Sequence, residues 1–250
     1  MALIEGTAAG ETLAGGDDRD EIFGYGGDDT ITGWSGGDTV RGGSGNDRIT
    51  VGDTVHRGGN RVFGDGGNDL VYAGSTRDRL YGGGGDDQIY IGFDRDFLRD
   101  VQAWGGAGAD AFWVGTYSDA TLHGGADDDS MSIWRDAPAR TTVREAGGDW
   151  TIVQDADNWF TFTPLEVLVT AVERLDYHGS FAVDDVIAGA GNDTIHVGEG
   201  ANIVDAGAGD DLVSYAATDA NTLHGGAGED TLGVGLRQSP YFVGGGWQRR

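Results

Sequence analysis

A chain of 250 residues with 48 glycines, three prolines and a formal charge of −26 carries too much glycine for a conventional layered domain and lacks a collagen period. That charge opposes nucleic acid and anionic membranes. The lack of cysteine excludes disulfides and zinc–thiolate sites, and all sixteen basic residues are arginine. No apolar run approaches the roughly 20 residues that span a bilayer, and no basic-then-apolar signal precedes the first repeat.

Taken in order, the chain is a nine-residue unit copied many times, seen cleanly in Gly42–Thr50, GGSGNDRIT. The unit reads Gly-Gly-x-Gly-x-Asp-x-U-x, with U large and apolar. Asp20, Asp29, Asp38 and Asp47 mark its sixth position, followed by Asp69, Asp78 and Asp87, then Asp110 and Asp129. After a long gap come Asp193, Asp211 and Asp230. The eighth position holds Leu13, Ile22, Ile31, Val40, Ile49 and their successors through Phe112 and Met131. Ile187, Ile195, Val213 and Leu232 are expected to continue it. Glycine-rich runs disfavour helix, so the unit predicts a short strand, x-U-x, followed by a turn, with U inward and its neighbours outward.

The expected fold is all-β: a parallel β-roll, a β-helix-like solenoid of stacked nonapeptide turns with one inserted β-meander or hairpin. Two units close one coil of about 18 residues, and about nine coils give a rod roughly 40 Å long. The organisation divides into a first roll over 1–132, a non-repeat β segment over 133–180, a second stack over 181–233 and a tail over 234–250. One apolar residue in nine is a thin core, marginal without a further stabiliser.

Alternate turns differ. One set, from GYGGDD (24–29) to GGAGED (225–230), always ends in Asp: Asp29, Asp47, Asp69, Asp87, Asp110, Asp129, Asp193, Asp211 and Asp230. The other begins with Asp20 and Asp38, keeps Asp78, and decays elsewhere to Asn60, Val101, Ala120, Asp185, Asn202 and Asn221. Every insertion falls in this second set. One edge of the rod is thus regular and the other variable.

A hard cation that takes six to eight oxygens suits such turns, because glycine aims carbonyls inward and Asp supplies charge. Calcium between Asp residues about one coil apart would cross-link coils, as in Asp29/Asp47, Asp69/Asp87 or Asp211/Asp230, with Asp20/Asp38 on the other edge. Stacked carboxylates without a cation repel. The expected cofactor is therefore several calcium ions, and the metal-free chain is expected to be largely unfolded.

On GGSGNDRIT, GGGGDDQIY, GGAGADAFW and GGAGEDTLG, the chain resembles the RTX (repeats-in-toxin, haemolysin-type calcium-binding) family over residues 6–132 and 185–233. The resemblance implies a parallel β-roll, calcium in the turns, and type I secretion without a cleaved signal to the extracellular space or cell surface.

Other constellations point less far. Phe63, Tyr81, Trp104 and His123 line one outward face, and Tyr72, Tyr90 and Trp113 the other; they read as stacking ladders or as platforms for sugar rings. The histidines are scattered and predict no zinc site. Trp150, Trp159, Phe160 and Phe162 read as the insert's own core. No lysine means no P-loop, and HExxH does not occur, so no enzyme is expected. The repeats begin within fifteen residues and leave nothing of domain size outside them. That favours a structural or adhesive surface rod, such as an S-layer or adhesin component, over the calcium-folded secretion or targeting module of a secreted enzyme or a carbohydrate-binding module. Unpaired strands at the rod's ends predict self-association, and a glycan or other surface partner is the remaining candidate.

Overall fold

The computed structural model describes residues 1–52, 59–92, 100–115, 118–134, 141–146, 149–154, 165–170, 173–179, 182–216 and 220–234. The tail beyond 234 and the proposed aromatic core at 159–162 lie outside them.

The nine-residue period places one short strand per unit. In chain order these are β1 (Leu3–Glu5) and β2 (Thr12–Ala14), β3 (Glu21–Gly26) and β4 (Thr30–Gly33), β5 (Thr39–Ser44) and β6 (Arg48–Val51), β7 (Arg61–Gly66) and β8 (Leu70–Ala73), β9 (Arg79–Gly84) and β10 (Gln88–Ile91), β11 (Val101–Ala107) and β12 (Ala111–Val114), and β13 (Ala120–Ala126) and β14 (Ser130–Trp134). The insert supplies β15 (Thr141–Ala146), β16 (Asp149–Gln154) and β17 (Leu165–Thr170). The roll resumes with β18 (Arg174–His178), β19 (Asp184–Ile187), β20 (Thr194–Val197), β21 (Ile203–Asp205), β22 (Leu212–Tyr215), β23 (Thr222–His224) and β24 (Thr231–Val234).

Odd strands of the first stack pair in parallel with odd strands, and even with even, giving the expected all-β parallel solenoid. Ile22, Val40, Val62, Leu80, Ala103 and Leu122 stand in register on one sheet. Ile31, Ile49, Val71, Ile89, Phe112 and Met131 do so on the other. All are buried, as strand alternation requires of the eighth position.

The core is thicker than one residue in nine. Two positions beyond U, the even strands carry a second buried row: Val51, Ala73, Ile91, Val114, Ile133, Tyr177 and Val197. The odd strands carry glycine at the same place, as at Gly24, Gly42, Gly64, Gly82 and Gly105. Apolar packing therefore continues into the variable edge and stops short of the regular one.

The insert is not extruded from the roll. Strand β17 pairs in parallel with β13, β16 runs antiparallel between β17 and β15, and β15 pairs in parallel with β19. Among the described residues, one sheet thus has thirteen strands in the order β1-β3-β5-β7-β9-β11-β13-β17-β16-β15-β19-β21-β23. The other has eleven and passes directly from β14 to β18 to β20. Two extra strands lengthen one face by about 10 Å. Strand β18 absorbs the join by a two-residue slip, with Leu175 in register with Met131 and Tyr177 with Ile195. Both side chains are buried, and Tyr177 heads the fully buried ones by size.

This join also corrects the phase beyond it. Val186, not Ile187, is the buried eighth residue of β19, and Ile187 is 39% exposed. The matching acidic residue is Asp184, which is fully buried, not Asp185. Leu232 is also exposed.

Candidate calcium edge

Each regular turn leads from an odd strand to the next even one. In Gly42–Asp47 the second and fourth residues, Gly43 and Gly45, have φ of 111° and 123°. Glycine enters that left-handed region without penalty. Three turns depart from glycine there and still adopt it: Tyr25 at φ 71°, Asp65 at 75° and Asp127 at 81°.

The sixth-position carboxylates divide their two oxygens between two tasks. Oδ1 accepts a backbone N–H from the preceding coil: Asp29 N–H donates to Asp47 at 2.8 Å, Asp47 to Asp69 at 2.7 Å, Asp69 to Asp87 at 2.8 Å and Asp87 to Asp110 at 2.8 Å. Asp110 donates likewise to Asp129 at 2.7 Å, Asp193 to Asp211 at 2.8 Å and Asp211 to Asp230 at 3.2 Å. In the first stack, Oδ2 turns back over the glycine that opens its own turn. A Cβ added at Gly24, Gly42, Gly64, Gly82 or Gly105 would lie 2.1 to 2.2 Å from it.

Among the described residues, Oδ2 of Asp29, Asp38, Asp47, Asp69, Asp87, Asp110, Asp129 and Asp211 is buried with no hydrogen-bond partner. A buried carboxylate oxygen in that state is costly unless a proton or a cation occupies it. Burial accordingly pushes Asp69, Asp87 and Asp129 up to about 7 and Asp47, Asp110 and Asp38 up to about 6, against the opposing pull of the backbone N–H each accepts. Neighbouring carboxylates add to the rise, as Asp47 does for Asp69 and Asp69 for Asp87. The donor set is hard oxygen, negative and repeated once per coil, which fits calcium. These carboxylates, with carbonyls of the glycine-rich turns, would hold the ions.

On the variable edge the backbone bond survives, while the carboxylate cradle is kept at Asp38 and lost at Asn60, Asn202 and Asn221. Asp20 N–H donates to Asp38 at 2.8 Å, Asp38 to Asn60 Oδ1 at 2.7 Å, and Asn60 to Asp78 at 2.7 Å. Beyond the insert, Asp184 donates to Asn202 Oδ1 at 2.8 Å and Asn202 to Asn221 Oδ1 at 3.0 Å. Asparagine keeps the acceptor and puts an amide where the second oxygen would be; the Asn60 amide donates to Asp78 at 2.9 Å. Asp20 and Asp78 remain acidic but spend Oδ2 on the N–H groups of Gly16 (2.8 Å) and Ser75 (3.0 Å). Asp38, over Gly33, keeps a buried free oxygen as the regular edge does. Asp230, in the final turn, is half-buried.

Two features escape a reading of Asp spacing alone. Glu173 completes the regular edge across the insert: Asp129 N–H donates to its carboxylate at 2.8 Å, and Leu175 N–H then donates to Asp193 at 2.8 Å. The signal was present as Glu173-Arg174-Leu175, an acid two positions before a buried apolar residue. The fifth position forms a second ladder running the opposite way. Asn46 N–H donates to Asp28, Asn68 to Asn46, Asp86 to Asn68 and Ala109 to Asp86, at 2.7 to 3.0 Å. The turns from Gly42–Asp47 to Gly82–Asp87 are therefore held from both sides, and the motif's Asn-Asp or Asp-Asp pair carried that information.

Fold and site together define a calcium-binding β-solenoid. The RTX calcium-binding nonapeptide repeat profile matches residues 5–40, 35–54, 57–98, 178–213 and 215–235. The chain belongs to that family. No curated protein matches it at a significant level.

Proposed function

We propose that this protein is a secreted or cell-surface rod, structural or adhesive and without enzymatic activity, that folds when it meets extracellular calcium. The observation that carries the reading is the row of buried, unpartnered Asp oxygens from Asp29 to Asp129. A roll lined with such groups is poorly stable without a cation and well held with one, and RTX repeat proteins are typically secreted. Calcium bound only by the folded state adds RT ln(1 + [Ca]/Kd) per site.

The aromatic ladders support a structural role over sugar binding. Phe63, Tyr81 and Trp104 stack at centroid distances of 4.8 and 4.6 Å with interplanar angles of 7° and 6°. Tyr72, Tyr90 and Trp113 do so at 4.8 and 4.4 Å. Arg41 covers the outer face of Phe63 at 4.1 Å, and Arg48 lies over Tyr72 at 4.7 Å. The faces a sugar would stack on are spent on neighbouring rings. The described strands of the insert continue the sheet instead of folding across the ladder.

At the first coil, β1 and β2 each have a neighbour on one side only, and Leu3 is 61% exposed. Such an end favours end-to-end association. Circular dichroism in chelator and then in millimolar calcium tests the folding reading, with a large calcium-dependent gain in strand signal expected. An equal signal in both would overturn it. Sedimentation velocity in calcium tests association, with species larger than one chain expected as concentration rises.

A further inference from the structure

The outward face of the eleven-stranded sheet carries a cluster that the calcium edge does not use. We propose that Asp176, His178 and His196 form a site for a divalent transition-metal ion of the zinc type, which ties β18 to β20 across the join.

The backbone puts these groups together. Asp176 and His178 are two apart on β18 and share its outer face, while His196 stands directly opposite His178 on β20. One ligand atom from each lies within 4.8 Å of the others. Tetrahedral zinc at about 2.0–2.1 Å per bond sets its ligands roughly 3.4 Å apart, so the ligand atoms need approach one another by no more than about 1.4 Å. His178 Nε2 already faces Asp176 Oδ1 at 3.2 Å. Asp176 Oδ1 is buried without a hydrogen-bond partner, which leaves it for the ion.

Neighbours hold each ligand in place, as metal sites require. The Ser214 hydroxyl is hydrogen-bonded to His196 Nδ1, which leaves Nε2 for the ion. Ser132 Oγ donates to Asp176 Oδ2 at 3.2 Å, and the Trp134 indole N–H donates to Ser132 at 3.3 Å. The Trp134 ring stacks on His178 at 4.0 Å and 14°. The small Ser132, following Tyr72, Tyr90 and Trp113 along the sheet, opens a recess of about 340 Å³ lined by Trp113, Ser132, Asp176, His178 and His196. That recess gives room for a water in a fourth coordination position.

The donor set separates this site from the edge. Two imidazoles and one carboxylate suit zinc, copper or nickel, whereas calcium takes oxygen ligands. The full chain in saturating calcium is therefore the right background. Titration with zinc chloride by calorimetry is expected to show one ion per chain, and Trp134 fluorescence is expected to fall when copper(II) is used. His178→Gln and His196→Gln should each abolish the one-to-one event, Ser214→Ala should weaken it about tenfold, and His224→Gln, on the other sheet, should leave it unchanged. All four residues lie outside the core, and circular dichroism in calcium checks folding of each variant. Should a variant fail that check, a wild-type copper quench that shrinks in Trp134→Phe, where Trp113 alone of the recess tryptophans remains, decides in its place. The proposal is overturned if wild-type protein takes up no zinc in calcium. It is equally overturned if the folded His178→Gln and His196→Gln variants still bind it, or if only His224→Gln loses it.

Discussion

The two edges of the roll begin from the same nonapeptide and arrive at different physics. On the regular edge of the first stack, glycine at the first position leaves room for the Asp Oδ2, and the space is polar and ready for an ion. On the variable edge, Val51, Ile91, Val114, Ile133 and Val197 occupy that room with buried hydrocarbon. Asn60, Asn202 and Asn221 still accept the backbone N–H of the coil before. The Asp of an RTX turn thus performs two separable jobs, scaffolding through Oδ1 and ligation through Oδ2. An edge can drop the second while keeping the first. That explains why insertions accumulate where they do: an edge held by apolar packing and amide ladders does not need its turns to keep the geometry of an ion site.

The strongest way to break this comparison is to remove calcium. At a hundredfold excess over Kd each occupied site contributes about 2.7 kcal/mol, so loss of several should unfold the first stack. Thermal melts with and without chelator measure it. Melting at the same temperature in both would mean that the regular edge, like the variable one, holds without ions.

Acid should partly replace calcium. Folding raises Asp69, Asp87 and Asp129 to about 7 and Asp47 and Asp110 to about 6, from an ordinary 3.8. A raised carboxylate favours the folded state fully below about pH 4, and that contribution is lost as pH climbs through 6 to 7. In chelator the melting temperature should therefore be higher at pH 4.5 than at pH 8. In calcium the ligands must be ionised, so affinity should fall as pH drops below 7. Chelated protein that melts higher at pH 8 would contradict the burial of these groups.

Exchanging the residues at the first position sharpens the contrast further. Ile91→Ala on the variable edge should cost about 2–5 kcal/mol with calcium present. Gly82→Val on the regular edge places a Cβ 2.2 Å from Asp87 Oδ2 and 2.8 Å from the Gly105 carbonyl. It should cost about 1–3 kcal/mol through overpacking and reduce calcium stoichiometry. Urea melts and calcium titration of both variants separate the two effects.

The smallest expected change separates the two oxygens of one side chain. Asp69→Asn keeps an acceptor for the Asp47 N–H, so chelated stability should move by under about 1 kcal/mol. The calcium-dependent part should shrink by about one site. Asn60→Asp, between Asp38 and Asp78, should leave the calcium-loaded melt nearly where it was, because Asp78 already spends Oδ2 on Ser75. A calcium gain as large as the Asp69→Asn loss would show that the variable edge keeps a usable cradle there.

Much of this was legible in the chain. A period of nine with an apolar eighth residue admits one way of stacking, so the parallel sheets follow, and Asp spacing separates the edges. Less legible was what Asn60 does, since an amide and a carboxylate look alike to a backbone N–H and unlike to a cation. The second buried row was also hidden, because Val51 and Ile91 fall on the position the motif reserves for glycine. Ile187 and Asp185 were misplaced by one residue because phase was carried across a segment that does not keep it.

The sequence by itself determined the period, the inward face and the chemistry of the turns, since these are local properties repeated until they leave little freedom. Tertiary structure alone decided how β15, β16 and β17 join the two stacks. Strand pairing there is a choice among registers that nothing local fixes, and it resolves with two extra strands on one face and a two-residue slip on the other. That slip brings Glu173 into the acidic row in place of an Asp. It also puts His178 across from His196, 18 residues on, where the same two histidines had looked unrelated while β18 was counted outside the roll.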